Sequence, residues 1–521
     1  MPMLKSMRSC VWIFALLVVF STSLYAQNFV YTNNDLASAN ANSVSAYSVD
    51  TNGDLSPIPG SPFATNGTGN GGGLSSASRI VVAGNFLYAS NAASNNVSAF
   101  TVDTGTGVLT AVSGTPFPTN AFDDPSNSGI SLAATPGGNF LYAGSTGFGG
   151  QISIFSINSA TGALTMLGSP IFAGGAVSGL KVSPDGKFLA VALSQLGQIA
   201  VFAIQSDGSL QAVANSPFTL TSGSATGVDI NCASNLLYAG GPSGNIYAFN
   251  IASDGQLTAV TGSPFGTGHA SNQVVTLSTD DKTLFSSNQG DNTVTAFAVD
   301  STGGLTLPGT SVNAAGTAGV DTLPGGLSVS NDGTLLFAAD TFSAVSSFVL
   351  GGSSPLIFGT LTSTISPLHS LAAFPAKACS SGSTSAGLSA TLQILAGPPP
   401  GFDLEATLSL DSSIVVNPLT QVVNIQIGTL STSLPAGSFK FAQNGKNSGS
   451  YVFQGTLSNT NLKVLIRPLG QNQFQISVFG KQIDLSGLPT PIAVTVGIGG
   501  NSASASVMPI SGPQRLNSPV K

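Results

Sequence analysis

His269 and His369 are the only two histidines in this chain of 521 residues. Imidazole is the side chain whose charge changes near neutral pH, so a search for a general acid or base starts there. His269 lies in "GTGHASNQ" and His369 in "TISPLHS", while "NAFDDPSNS" holds Asp123 and Asp124 and "GTAGVDTLPGG" holds Asp321. A histidine oriented by Asp321 or Asp124 would activate water against an acyl carbon, provided that donors for the oxyanion stand nearby. Two histidines and a carboxylate would equally hold a divalent metal, and loop histidines exposed to solvent or packed on a neighbouring unit need do neither. The catalytic candidates are therefore His269, His369 and Asp321; no metal site and no cofactor is expected.

A second set carries charge. Aligned by the repeats described below, Arg79, Lys181 and Asp229 share one position, which is Ala133, Thr276, Ser328 and Ala372 in the other copies. Such a ring would bind an anionic ligand or form a buried ion pair between units. Arg79, Lys181, Asp229, Asp123 and Asp124 are the candidate ligand-binding residues. A phosphate site would need Arg or Lys, yet between residues 28 and 375 there are only Arg79, Lys181, Lys187 and Lys282. That stretch also lacks Glu, the sole one being Glu405. Two further motifs carry nothing: "DTNGDL" opens like a Ca²⁺ loop but has no Glu at its twelfth position, and "GTGNGGG" has no Lys-Ser/Thr after it.

These residues are placed by a repeat. "NFLYASNAASNNVSAFTVD" at 85–103 returns as "NFLYAGS…QISIFSIN", "NLLYAGG…NIYAFNIA", "KTLFSSN…TVTAFAVD" and related copies, roughly every fifty residues. One aromatic or small residue marks the first strand of each copy (Tyr31, Tyr88, Tyr142, Ala190, Tyr238, Phe285, Phe337) and an aromatic marks the next (Tyr47, Phe100, Phe155, Phe202, Phe249, Phe297, Phe348). Alternation around them is the half-buried strand pattern. A Gly turn such as "QSDGSL" leads to a segment ending in "GSPF" or "GTPF", which its Pro marks as an edge strand. Ahead of each copy stands one more strand, closed by an Asp-Gly-type turn as in "SGLKVSPDGK". Four-stranded units at this period bury both faces by stacking radially. The first copy lacks its inner strand and "HSLAAFP" at 369–375 is an inner strand with nothing after it, so the last strand closes the ring. The expected fold is all-β: a seven-bladed propeller closed by a C-terminal inner strand and followed by a small β-sandwich.

The forms "SPDGKFLAVA…GQIAVFAIQSDGSL" and "GNFLYASN…NNVSAFTVDTGTGVLTAVSGTPF" resemble the seven-bladed propellers of the lactonase family, which includes propeller-type 6-phosphogluconolactonase. The resemblance covers residues 28–376 and implies hydrolysis of lactones, with His269 and His369 as catalytic groups and Arg79 or Lys181 as an anion anchor. Sparse charge and the missing Glu support a different expectation, a non-catalytic scaffold whose propeller mouth binds a small polar ligand, a glycan or a protein.

Residues 1–26 read as a secretory signal: Lys5 and Arg8, the apolar run "VWIFALLVVF", then a small residue at Ala26. The run is shorter than a bilayer requires, so no transmembrane segment is expected after cleavage, and the protein is expected to be secreted or periplasmic. The net charge of −7 excludes nucleic acid as a partner class. Cys232 and Cys379 fall in non-adjacent units, which speaks against a bridge between them. The propeller is assigned to 27–376, a linker to 377–387, the sandwich to 388–508 with eight candidate strands, and a disordered tail to 509–521. Lys440, Lys446, Lys463, Arg467 and Lys481 would either line a binding face of the sandwich or solvate its outside.

Overall fold

The computed structural model describes residues 28–513 except 51, 72–76, 121–128, 148, 317–323, 342, 352–353, 365–367, 369, 378, 380–386, 397–398, 410–415, 429, 436, 444–447, 458–459, 471–472, 484, 486–491 and 499–500. The signal-like segment, Asp123, Asp124, Asp321, His369 and Lys446 thus lie outside the described residues. No described helix is long and apolar enough to cross a membrane.

Residues 28–374 form seven antiparallel sheets, each ordered inner to outer along the chain. The inner strands are Leu371–Phe374 (blade 1), Ile80–Ala83, Ile130–Ala134, Val177–Val182, Gly227–Ile230, Asn272–Leu277 and Pro324–Val329 (blade 7). Blade 1 is completed from the far end of the repeat, with Phe29 opposite Phe374 and Thr32 opposite Leu371. The ring is therefore closed by strand exchange between its two ends, which leaves no unpaired edge at the seam.

The inner hairpins owe their form to a Ser-x-Asp pair. Ser183 Oγ donates to Asp185 Oδ1 at 2.6 Å, and Asp185 Oδ1 also accepts the Lys187 N–H; Ser278 with Asp280 and Ser330 with Asp332 repeat the arrangement. In these three hairpins the side chain supplies turn hydrogen bonds locally, and in blade 4 the Asp185 N–H also donates to Ser234 Oγ of blade 5. Outer strands differ from expectation: in blades 1–5 the fourth strand is broken in two, both pieces pairing with the third strand. The break falls at the Pro segment, where a missing N–H interrupts the ladder. Blade 6 keeps a continuous piece, Thr310–Asn313, against Thr293–Ala296.

Blades adhere through apolar faces. Phe29, Tyr31, Ile80, Leu87, Phe100 and Phe374 form one such cluster between blades 1 and 2. Tyrosines stitch the same interfaces: Tyr31 donates to Gly107 O, Tyr88 to Gly162 O, Tyr142 to Gly208 O and Tyr238 to Gly303 O, at 2.7–3.0 Å. Each reaches the outer-hairpin glycine of the next blade. At Gly107 a side chain has no room: φ is +72° and a Cβ would lie 2.5 Å from the Phe29 ring.

The second module is a sandwich of a seven-stranded and a four-stranded sheet, sharing a core that includes Phe402, Leu404, Ile425, Val464, Ile476 and Val494. Its described residues form eleven strands rather than eight. The additional ones, Leu430–Leu434, Asn501–Val507 and Ile510–Pro513, are rich in Ser and Gly and carry little apolar alternation to read. Ile510–Pro513, expected in a tail, pairs in parallel with Gln393–Ala396. Lys463 and Arg467 alternate with the buried Leu462, Val464 and Ile466, so they stand on the solvent face of their sheet.

Candidate active site

Described chain segments link inner strands of different blades at both ends of the channel. At the end where loops enter the inner strands, Ala77 N–H donates to Ser178 O of blade 4, Ser131 Oγ of blade 3 donates to Ala77 O, and Leu132 N–H donates to Ser78 O. Ser370 Oγ, just ahead of the closing strand, accepts the Arg79 N–H at 2.9 Å. Ala77–Arg79 thus lies across this upper end. Arg79 is 1% exposed and its guanidinium is bound to the Asp35 carboxylate.

The register corrects the expected ring. Lys181 pairs with Ala190 and Asp229 with Tyr238, but the blade 2 residue opposite Tyr88 is Val81, not Arg79. Between Val82 and Leu87 the hairpin holds residues 83–86, whereas between Val182 and Leu189 it holds 183–188. That hairpin is shorter by two residues, which moved the sequence alignment by the same amount. The ring keeps one cation and one anion, and they pair: Lys181 Nζ lies 2.6 Å from Asp229 Oδ1. Asp229 Oδ2 accepts the Leu277 N–H at 2.9 Å and faces Lys377 Nζ at 3.2 Å. Burial pushes the Asp229 carboxyl up, but Lys181 and Lys377 outweigh it and hold the group well below the usual carboxylate range.

Lys377 arrives from the segment that follows the closing strand. Leaving blade 1 at Phe374, the chain crosses the lower end of the channel. Ala376 O accepts from Asn331 Nδ2 of blade 7, Lys377 Nζ donates to Leu277 O of blade 6, and Cys379 is disulfide-bonded to Cys232 in the inner hairpin of blade 5. The two cysteines belong to non-adjacent units, as the sequence indicates. The bridge forms nonetheless, because the segment that leaves blade 1 reaches past blades 7 and 6 to blade 5.

The described histidine singled out by the sequence lies on the upper rim. His269 stands on the loop from blade 5 into blade 6. Its Nδ1 is 2.9 Å from Asp291 Oδ2, and the Ala270 N–H donates to the same oxygen at 3.0 Å. Asp291 comes from the loop joining the second and third strands of blade 6. A carboxylate only accepts, so Nδ1 carries a proton toward Asp291, and in the neutral tautomer Nε2 is the acceptor. Nε2 lies 2.9 Å from Ser311 Oγ and 3.3 Å from Thr295 Oγ1. His269 is 21% exposed and Asp291 35%, so the pair sits at the surface without being freely solvated.

The expected base is thus engaged by a carboxylate that sequence reasoning missed. The signal was a departure from the repeat. The residue before the outer-strand partner of the third strand is Pro62, Pro116, Pro170, Pro217 and Pro264 in blades 1–5, Leu361 in blade 7 and Ser311 in blade 6. Thr295 departs as well. Its equivalents Ser98, Ser153 and Ser346 donate to the carbonyls of Thr65, Thr119 and Ala314, whereas Thr295 turns to Ser311 and His269. Among the described residues no group of three or more His, Cys, Asp or Glu gathers as a metal site.

Residues 18–125 and 122–227 match the family described as "Lactonase, 7-bladed beta-propeller". The N-terminal part of the propeller is thus similar to that family. Similar solved structures agree on the fold. The periplasmic gluconolactonase of Pseudomonas aeruginosa is 16% identical, covering 67% of this chain and 99% of its own, with a TM-score of 0.54. A putative 6-phosphogluconolactonase from Bacteroides fragilis is 20% identical, covering 68% and 99%, with a TM-score of 0.52. One from Bacteroides uniformis is 15% identical, covering 67% and 100%, also at 0.52. The likeness in fold covers about two-thirds of the chain, and the family match covers residues 18–227. No curated protein matches the sequence.

Proposed function

We propose that the protein is a carboxylic-ester hydrolase acting on lactones, with His269 as general base and Asp291 as the group that orients it. One observation carries the reading: the 2.9 Å His269–Asp291 contact, which leaves Nε2 a proton acceptor directed at a hydroxyl-lined surface. The lactonase-type fold supports the same reaction class. His269 Nε2 accepts a proton as oxygen attacks the carbonyl carbon, and returns it to the ring oxygen as the acyl C–O bond breaks. Asp291 stabilises the imidazolium formed in between. His369, Asp321, Asp123 and Asp124, which the repeat pattern of the sequence assigns to the same rim, remain candidates for contacts to substrate.

Neutral lactones are the preferred class. Arg79, Lys181 and Lys187 are each bound to a carboxylate, those of Asp35, Asp229 and Asp185, and Lys187 and Lys282 lie on the hairpins of the opposite rim. The site as described offers a phosphate no cation of its own. Export is part of the proposal: residues 1–26 carry a signal pattern, and the Cys232–Cys379 disulfide fits an oxidising compartment.

The test is hydrolysis of a panel of neutral and phosphorylated lactones by the mature chain, His269→Ala and Asp291→Asn. Turnover of neutral members that falls by about 10²- to 10⁴-fold in His269→Ala is expected. A folded wild-type protein inert on the whole panel would refute the reading and return the propeller to the role of a binding scaffold.

A further inference from the structure

The hydrolase reading needs only a base and water, but the residues around His269 are arranged for more. Ser311 Oγ lies 2.9 Å from His269 Nε2, and His269 Nδ1 lies 2.9 Å from Asp291 Oδ2. Hydroxyl, imidazole and carboxylate are therefore in one hydrogen-bonded line, the relation that defines a nucleophile, its base and the orienter of the base. We infer that Ser311 is a nucleophile, and that this site at the junction of blades 5 and 6 works through an acyl-enzyme and accepts open-chain carboxylic esters as well as lactones. The inference deepens the hydrolase reading and rests on it for the roles of His269 and Asp291.

Proton placement supports it. Asn288 Nδ2 donates to Thr295 Oγ1 at 2.6 Å, and its own carbonyl is held by Ser286 Oγ and Asn272 Nδ2, which fixes its amide as a donor. Thr295, receiving that hydrogen, directs its hydroxyl proton outward, and Ser311 Oγ is its nearer partner at 2.8 Å. With the imidazole neutral, the consistent arrangement has Ser311 accept from Thr295 and donate to His269 Nε2. Every hydrogen in the chain from Asn288 to Asp291 then points the same way, with the seryl proton directed at the base that must remove it. Ser311 is exposed, and it stands on a strand paired with Thr293–Ala296, so an ester can reach an oxygen held on a rigid element.

The chemistry balances without any co-reactant but water. Ser311 Oγ bonds to the acyl carbon while its proton passes to Nε2. The intermediate expels the alcohol oxygen, which takes that proton, leaving an acyl ester on Ser311. Water attacks this ester, gives a proton to Nε2, and Nε2 returns it to Ser311 Oγ as the acid departs. From a lactone the product is a hydroxy acid; from an acyclic ester, an acid and a free alcohol.

The experiment treats the full mature chain with an alkyl fluorophosphonate, which phosphonylates an activated serine as P–O forms and P–F breaks, and locates the adduct by peptide mass spectrometry. Hydrolysis of p-nitrophenyl acetate and of the lactone panel is followed alongside. Labelling of Ser311 is expected, with its rate falling about 10²-fold or more in His269→Ala, and with both ester and lactone turnover lost in Ser311→Ala. Because Ser311 is exposed, Ser311→Ala should keep the wild-type melting temperature. Thr295 is a positioning residue: Thr295→Val should slow labelling and alter its pH profile, and Thr295→Ser should restore both. Lactone turnover that needs His269 but survives in Ser311→Ala, with Ser311 unlabelled, would overturn the inference and leave the hydrolase reading intact. His269-dependent labelling of Ser311 without lactone turnover would uphold the nucleophile and remove the lactone.

Discussion

Replacing Cys232 and Cys379 together by Ser tests the segment that crosses the channel. The bridge joins residues 147 apart in sequence. For a closed loop of that length, chain entropy removes about 17 cal/mol/K from the unfolded state, or about 5 kcal/mol at 25 °C. The native state should change little, because Lys377 still holds Asp229 and Leu277 O, and Asn331 still holds Ala376 O. A propeller of roughly 350 residues has an unfolding entropy of about 0.7 kcal/mol/K, so the melting temperature should fall by about 7 °C. Scanning calorimetry of the oxidised wild type, the reduced wild type and the double variant gives the answer. The last two should coincide, below the first. Coincidence of all three to within about 1 °C would refute the loop-entropy argument, whose predicted shift is several times larger.

Three further outcomes follow from buried groups. Tyr142→Phe removes the donor to Gly208 O and should cost about 1–3 kcal/mol in urea unfolding, the range for leaving a buried acceptor unmet. Asp229→Asn leaves Lys181 and Lys377 without their carboxylate and should cost about 3–5 kcal/mol at pH 7. Since the Asp229 pKa is lowered on folding, its contribution is complete above the ordinary carboxylate range and is lost as pH falls toward the lowered value, so variant and wild type should converge in acid. Asp281 is the opposite case: burial pushes its carboxyl up to about 6 despite the Cys232 N–H and Lys377, and its Oδ1 has no hydrogen-bond partner among the described residues. Ionising it in the fold costs stability as pH rises from the ordinary range through 6, so Asp281→Asn should raise the melting temperature at pH 7 and have less effect at pH 4.

The propeller was legible because its information is local and repeated. Period-two alternation, Asp-Gly hairpins and edge prolines recur in copy after copy, and "HSLAAFP" without a following strand already implied closure onto the first blade. Counting turns instead of strand partners misplaced Arg79, since a shortened hairpin shifts every residue before it. The disulfide escaped notice because unit-by-unit alignment describes neighbours around the ring and has nothing to say about a segment that cuts across it. The site was half visible. His269 stood out as a rare residue on the right rim, but Asp291 and Ser311 are an ordinary loop aspartate and strand serine whose meaning comes from three loops and strands meeting at one corner. Blades 6 and 7 both lack the proline, and only in blade 6 does a hydroxyl residue take its place.

The crossing segment also determines how the molecule would bear a load. Everything beyond Cys379, the sandwich included, is joined to the propeller twice, by the main chain that leaves blade 1 and by the disulfide to blade 5. A pull applied to the sandwich is delivered to Cys232 and shared by the strands of that blade. It bypasses the four-residue seam at Leu371–Phe374, which would otherwise peel open one residue pair at a time. While the bridge is intact, a tug on the C-terminal module strains the wall of the ring and spares its closure.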